Sequence, residues 1–174
     1  MSNLYLSIGG NLGDRAENLS DCRENIRLQI GEIVKSSSIY ESESWGFSHP
    51  RDFYNQVLHV KTDLLAKKIL DKIQNIETAL GRTRKKSSTQ AYESRIIDID
   101  ILLLDQFVIQ ENELIIPHPH MQNRNFVMIP LVEITDTLIH PIIKKSMKEI
   151  LDDCPDKGRI KRVVTKKSIS DEQR

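Results

Sequence analysis

Apolar residues are grouped along the chain in short blocks whose spacing switches between strand-like and helical. Leu4 to Ile8 reads as a short strand that runs into the turn formers Gly9, Gly10, Asn11, Gly13 and Asp14. Leu19, Cys22, Ile26 and Ile30 then recur at spacings of three or four, which predicts a helix from about Asp14 to Ile30 with Gly31 as its stop. Segments 32–41 and 53–62 are strand-like, and the connection between them is longer than a hairpin needs. A second helix over 64–80 is marked by Leu65, Ile69, Ile73, Ile76 and Leu80, with Gly81 where a C-terminal cap belongs. After a polar loop at 82–95, the run SRIIDIDILLL at 94–104 reads as a buried strand rich in β-branched residues.

The order strand, helix, strand, strand, helix, strand predicts an α+β fold with a ferredoxin-like βαββαβ core and helices on one face of the sheet. Residues 105–153 read as an appended C-terminal α/β segment with short helices near 120–134 and 144–152. From Asp156 the chain is polar and basic without periodicity, so 1–155 is read as one domain and 156–174 as a frayed tail.

A buried strand has no packing reason to carry two acids, and this one carries Asp98 and Asp100. Side chains two apart on a strand share a face, which puts the two Cβ atoms roughly 6–7 Å apart. Carboxylates that converge in this way repel each other, so one protonates or a cation joins them. Read alone, Asp-x-Asp equally describes a strand end facing water or paired with arginines. The neighbourhood changes that balance, because Arg82, Arg84, Lys85, Lys86 and Arg95 cluster beside the pair with only Glu93 opposing them. Fixed cations next to a divalent-metal site are what a polyphosphate substrate requires. No P-loop motif is present to hold phosphates, so the basic loop 82–95 is expected to do so, closing over the anion as a lid.

Composition limits the alternatives without choosing among them. In the 174 residues, 39% hydrophobic and 29% charged side chains exclude a disordered chain, and 25 basic against 25 acidic residues leave no global field for nucleic acid. No segment resembles a leader or a membrane span, so a cytoplasmic protein is expected. Cys22 and Cys154 lie too far apart to form a metal-ligand pattern and are read as reduced thiols. His118-Pro119-His120 lacks a nearby third ligand for zinc, and His59 and His140 are read as structural.

Six blocks carry a resemblance to a known family: GGNLGDR at 9–15, YESESWG at 40–46, FYNQV at 53–57, ETALGRTR at 77–84, RIIDIDILL at 95–103 and IPHPHMQNRNF at 116–126. In order and spacing, the chain resembles the 6-hydroxymethyl-7,8-dihydropterin pyrophosphokinases of folate synthesis over about residues 3–152. The resemblance implies Mg²⁺-dependent transfer of the pyrophosphoryl group of ATP to the pterin's hydroxymethyl oxygen, leaving AMP. It also implies two Mg²⁺ ions on Asp98 and Asp100, with Arg82 and Arg95 as phosphate-contacting catalytic arginines. On the ATP side it points to Glu77, Arg84, Tyr92, Arg95, His118 and Arg124. On the pterin side it points to the Asn55 amide, the rings of Phe53 and Phe126, and groups near Ser42 and Trp45. The implied partners are these small molecules alone, with no nucleic acid and no membrane, and a monomer is expected.

Three positions depart from the family pattern. Tyr92 stands where tryptophan is frequent, Ser44 replaces a frequent proline, and His120 takes a position where arginine is common. None removes a metal ligand or a phosphate arginine. Two rivals remain. An RNA-binding module would use a similar sheet, but the strands lack the required aromatic pattern and an acid pair would repel phosphates. A different nucleotidyl or phosphoryl transferase would differ in its product.

Overall fold

The computed structural model describes residues 1–81 and 95–164. The expected lid, with Arg82, Arg84 and Tyr92, therefore lies outside the described residues apart from Arg95. The elements are β1 (Ser2–Gly10), α1 (Arg15–Gln29), β2 (Glu32–Ser36), β3 (Tyr40–Ser42), β4 (Phe53–Thr62), α2 (Ala66–Ala79), β5 (Asp98–Leu104), β6 (Ile109–Glu111), β7 (Leu114–Ile116), α3 (Asn125–Ile134), α4 (Met147–Asp152) and β8 (Ile160–Arg162), with a 3₁₀ turn at Met121–Asn123.

Local chemistry accounts for the helix boundaries. Asp14 caps α1 by accepting the Glu17 N–H at 3.0 Å, after Gly13 has turned the chain with φ +67°. Gly81, at φ +96°, ends the second helix in the left-handed conformation that glycine adopts without strain.

The main sheet is antiparallel, with order β5-β1-β4-β3-β8 and β2 also paired to β4. β1 sits between β4 and β5, bringing Gly9 opposite Asn55 on one side and Asp98 on the other. One register shift interrupts the β1–β5 ladder: Tyr5 pairs with Leu103 but Leu6 with Ile101, leaving Leu102 as the extra residue of a bulge.

Helices cover both faces, where one was expected. Leu4, Leu6, Ile8, Leu58, Val60, Ile99 and Ile101 pack with Leu19, Cys22 and Ile26 of α1 and Ile69, Ile73 and Ile76 of α2. On the other face, Tyr5, Val57, Leu102 and Leu103 pack with Met128 and Leu131 of α3 and Met147 and Ile150 of α4. The residues read as an appendage therefore supply the second half of the core. The second correction concerns the tail: Ile160–Arg162 is a strand paired with β3, so at least this part of it is built into the sheet. Three residues are too few to leave a periodic signal, and their polar composition reflects an edge strand facing water. No helix among the described residues is long and apolar enough to cross a membrane.

Candidate active site

On the α3 side of β1 the apolar lining stops at Tyr5, and the next residues facing that way are Ser7 and Gly9. Their small size leaves a cleft beyond the end of the second core. Asp98 and Asp100 stand opposite Gly9 and Ser7, and both carboxylates open into this cleft, while Ile97, Ile99 and Ile101 fill the core behind. The two-residue period thus lets one strand be core on one face and acid on the other.

The turn after β1 determines how the chain enters β5. The Arg95 carbonyl accepts from Asn11 N–H at 2.9 Å and Leu12 N–H at 3.2 Å, and the Arg95 N–H donates to Asn11 Oδ1 at 2.9 Å. Gly10 permits this crossing, because a Cβ there would lie 2.2 Å from the Ile96 carbonyl oxygen. From this cradle the Arg95 guanidinium reaches Asp98 Oδ2 at 2.5 Å. Asn11 carried no role in the sequence reading, although the Gly-Gly-Asn run was its visible signal.

Asp100 has more distant partners, with His118 Nε2 at 3.9 Å and an Arg124 Nη at 4.0 Å. Burial, reinforced by the charge of Asp98, holds its carboxyl well above the usual range, with Arg124 and Arg95 opposing that shift. Burial, with the neighbouring Arg124 charge, pulls His118 down to about 4, so it is neutral at pH 7. Its Nδ1 accepts the His120 N–H at 3.1 Å, which leaves the proton on Nε2, the atom nearest Asp100. The His118 N–H donates to Leu102 O at 2.9 Å and so ties this loop to the acid-bearing strand.

Glu77 does not line the cleft. It is buried on α2, and its Oε1 accepts the Ile99 N–H at 2.9 Å, between the two aspartates in sequence. Among the described residues no strand pairs with the outer side of β5, so this carboxylate satisfies an edge amide and supports the acid pair from behind.

The other end of the cleft is aromatic. Phe53 and Asn55 enter from β4 and Ser42 from β3, and Asn55 Nδ2 donates to Ser42 Oγ at 2.8 Å. Phe47 meets Phe53 edge-on with centroids 6.0 Å apart, and the Arg124 guanidinium lies 4.7 Å from the Trp45 ring and 5.9 Å from Phe126. Arg95, Asp98, Asp100 and Arg124 share this cleft. Ser7, Gly9, Glu43 and Phe47 also line it and carried no site role in the sequence reading.

A second groove begins on the far side of Asp100. Leu70 and Ile73 of α2, Ile101 of β5 and Leu114 give it apolar walls, Asn112 and Glu113 a polar rim, and it reaches Asp100 and His118. The sequence carried no signal for it, because its walls come from three separate elements. Asp100 therefore lies at the junction of an aromatic cleft and an apolar groove.

The donors present suit a hard cation. Asp98 and Asp100 supply carboxylate oxygens at one place, and a cation there would relieve the repulsion that perturbs Asp100. No group of three or more His, Cys, Asp or Glu suited to a metal occurs among the described residues. Mg²⁺ is a hard cation that takes one or two carboxylates and completes its shell with water and phosphate oxygens, a demand the Asp98–Asp100 pair can meet.

The family model for 7,8-dihydro-6-hydroxymethylpterin-pyrophosphokinase (HPPK) matches residues 5–136. The chain belongs to this family. It is 40% identical over 149 residues to the 2-amino-4-hydroxy-6-hydroxymethyldihydropteridine pyrophosphokinase of Aquifex aeolicus, covering 86% of this chain and 90% of that protein. It is 43% identical over 142 residues to the protein of the same name from Porphyromonas gingivalis, covering 81% and 95%. The HPPK fold recurs in a solved structure described as HPPK-DHPS in complex with substrates, with TM-score 0.74 and 12% identity. That match covers 94% of this chain and 47% of the solved one, so the chain spans about half the length of that structure.

Proposed function

We propose that the chain transfers the β,γ-pyrophosphoryl group of ATP to the hydroxymethyl oxygen of 6-hydroxymethyl-7,8-dihydropterin in folate biosynthesis. The products are AMP and the pterin diphosphate. The observation that carries this reading is the meeting of two unlike cavities at one acid pair. A flat heteroaromatic ring fits between aromatic walls, with the buried Asn55 amide to hydrogen-bond its polar edge. A purine fits the apolar groove of Leu70, Ile73, Ile101 and Leu114, and a triphosphate leading from it reaches Asp100.

In the reaction, the hydroxymethyl oxygen attacks the β-phosphorus, the bond from that phosphorus to the α,β-bridging oxygen breaks, and the hydroxyl proton passes to solvent. Asp98 and Asp100 would hold two Mg²⁺ ions, which would offset triphosphate charge. Arg95 exchanges its Asp98 partner for a phosphate oxygen, and Arg82 and Arg84 add further phosphate contacts. His118 offers its Nε2–H as a neutral donor, and Arg124 opposes the remaining negative charge. Phe53 and Phe126 flank the pterin while Ser42 and Trp45 complete its pocket, and Tyr92 packs over the nucleotide. Positioning and electrostatics supply the catalysis, so no side-chain nucleophile is needed. The core is read as ferredoxin-like, and the enzyme as a cytoplasmic monomer.

The test is AMP formation that requires ATP, the hydroxymethylpterin and Mg²⁺ together. Release of ADP or inorganic pyrophosphate in its place would reject the proposal.

A further inference from the structure

The family model ends at residue 136, yet the chain returns to the aromatic cleft after that point. We propose that segment 156–162 is a latch that holds the two walls of the aromatic cleft at the separation the pterin ring needs. It thereby sets affinity for the pterin more than for ATP. This inference rests on the proposed pyrophosphokinase reading for the identity of the ligand, while the latch itself rests on geometry.

One wall is the first turn of α3, where Arg124 and Phe126 line the cleft and Asn125 lies between them. Arg124 occupies the cap position of this helix and makes no side-chain cap bond. Asp156 supplies the cap from a distance: its Oδ2 accepts the Asn125 N–H at 3.0 Å, while its Oδ1 accepts the Gly158 N–H at 2.9 Å. An acidic group suits a helix N-terminus both as acceptor and by its charge. Asn125 Nδ2 returns a bond to the Gly158 carbonyl at 2.8 Å, so segment and helix grip each other twice.

The other wall is loop 43–52, which carries Trp45 and Phe47. Arg159 holds both of its ends. Its N–H donates to Glu43 Oε1 at 3.1 Å, its carbonyl accepts the Glu43 N–H at 3.4 Å, and an Nη reaches Asp52 Oδ2 at 2.7 Å. The Arg159–Asp52 pair is exposed and contributes little alone. The pairing of Ile160 opposite Ser42 continues this hold into β3, on the strand that gives the cleft its serine. Gly158 allows the close fit, since a Cβ there would lie 2.9 Å from Glu43 Oε1. No residue of the latch lines the cleft, so Asp156 acts as a positioning residue.

The experiment compares Asp156→Ala, Asp156→Asn and the unaltered protein by steady-state AMP formation. Asp156→Ala should raise the KM for the pterin about ten-fold, the scale of a lost charge-assisted cap, with a several-fold smaller rise in the KM for ATP through Arg124 on the same turn. Asp156→Asn keeps a cap acceptor and should recover most of that loss. An unchanged pterin KM, or equal rises in both KM values, would overturn the latch.

A second readout does not depend on the reaction. Trp45 is the chain's one tryptophan and stands in the loop the latch holds. Acrylamide should quench its fluorescence more strongly in Asp156→Ala than in the unaltered protein or Asp156→Asn, and equal quenching in all three would overturn the latch. If the unaltered protein forms no AMP, the pyrophosphokinase reading fails while the quenching comparison still decides the latch.

Discussion

Replacing Gly10 with alanine would put a methyl carbon 2.2 Å from the carbonyl oxygen of Ile96 and 2.8 Å from its carbon. Both are backbone atoms, so no side chain can swing aside. Restoring an ordinary contact of a little over 3 Å moves the chain at Arg95–Ile96 away from β1 by roughly 1 Å, against the three hydrogen bonds that Asn11 and Leu12 make with Arg95. Overpacking of this kind costs about 1–3 kcal/mol, which lowers Tm by about 3–10 °C in a domain of this size. The larger effect is on turnover. Arg95 and Asp98 leave this crossing directly, and a 1 Å misplacement of reacting groups lowers rate by about a hundred-fold.

Gly31→Ala serves as the control, because a Cβ there would lie 2.0 Å from the Lys61 carbonyl oxygen, next to Thr62 at the end of β4 remote from Asn55. The assay is kcat for AMP formation at a temperature below both transitions, beside Tm by calorimetry. Both variants should lose stability, and Gly10→Ala alone should lose turnover. Equal kcat values in the two variants would refute the claim that this crossing positions the acids.

Asp98→Ala and Asp100→Ala should each reduce AMP formation by about a thousand-fold or more while the protein stays folded, since both side chains open into the cleft. Near-normal turnover of either variant at saturating Mg²⁺ would remove the metal assignment. Asp100→Asn should raise Tm in chelator at pH 8. The folded protein holds this proton more tightly than the unfolded chain, so the carboxyl's contribution to stability falls as pH rises from its ordinary value of 3.8 through the raised one. The difference should shrink toward pH 4, and a variant no more stable than its parent at pH 8 would contradict the raised carboxyl that burial and Asp98 together give Asp100.

The apolar pattern located the long elements well, because α2 has one repeating face and β5, its two acids apart, is a continuous run of β-branched and leucine residues. Asp98 and Asp100 were legible for the same reason: acids at strand spacing stand out against Ile and Leu. Packing on the second face was not legible, since α3 is apolar almost all round and shows no single stripe that assigns it to a sheet. Nor was the role of Glu77, because a carboxylate on the core face of a helix looks like any helix acid until the amide it satisfies is placed beside it. The segment at 156–162 left no local signal because its bonds reach residues far away in sequence, 31 positions between Asp156 and Asn125 and 107 between Arg159 and Asp52. Local pattern carries no trace of such closure.

The bulge at Leu102 separates the two ends of β5 mechanically. On the site side of it, Ile99 and Ile101 face one core and the acids face the cleft; beyond it, Leu102 and Leu103 both join the opposite core and Leu104 returns to the first. The extra residue acts as an expansion joint. Substitutions in the greasy half can slide or repack there without dragging the carboxylates out of phase, whereas a deletion closing the joint would transmit every such adjustment straight to the chemistry.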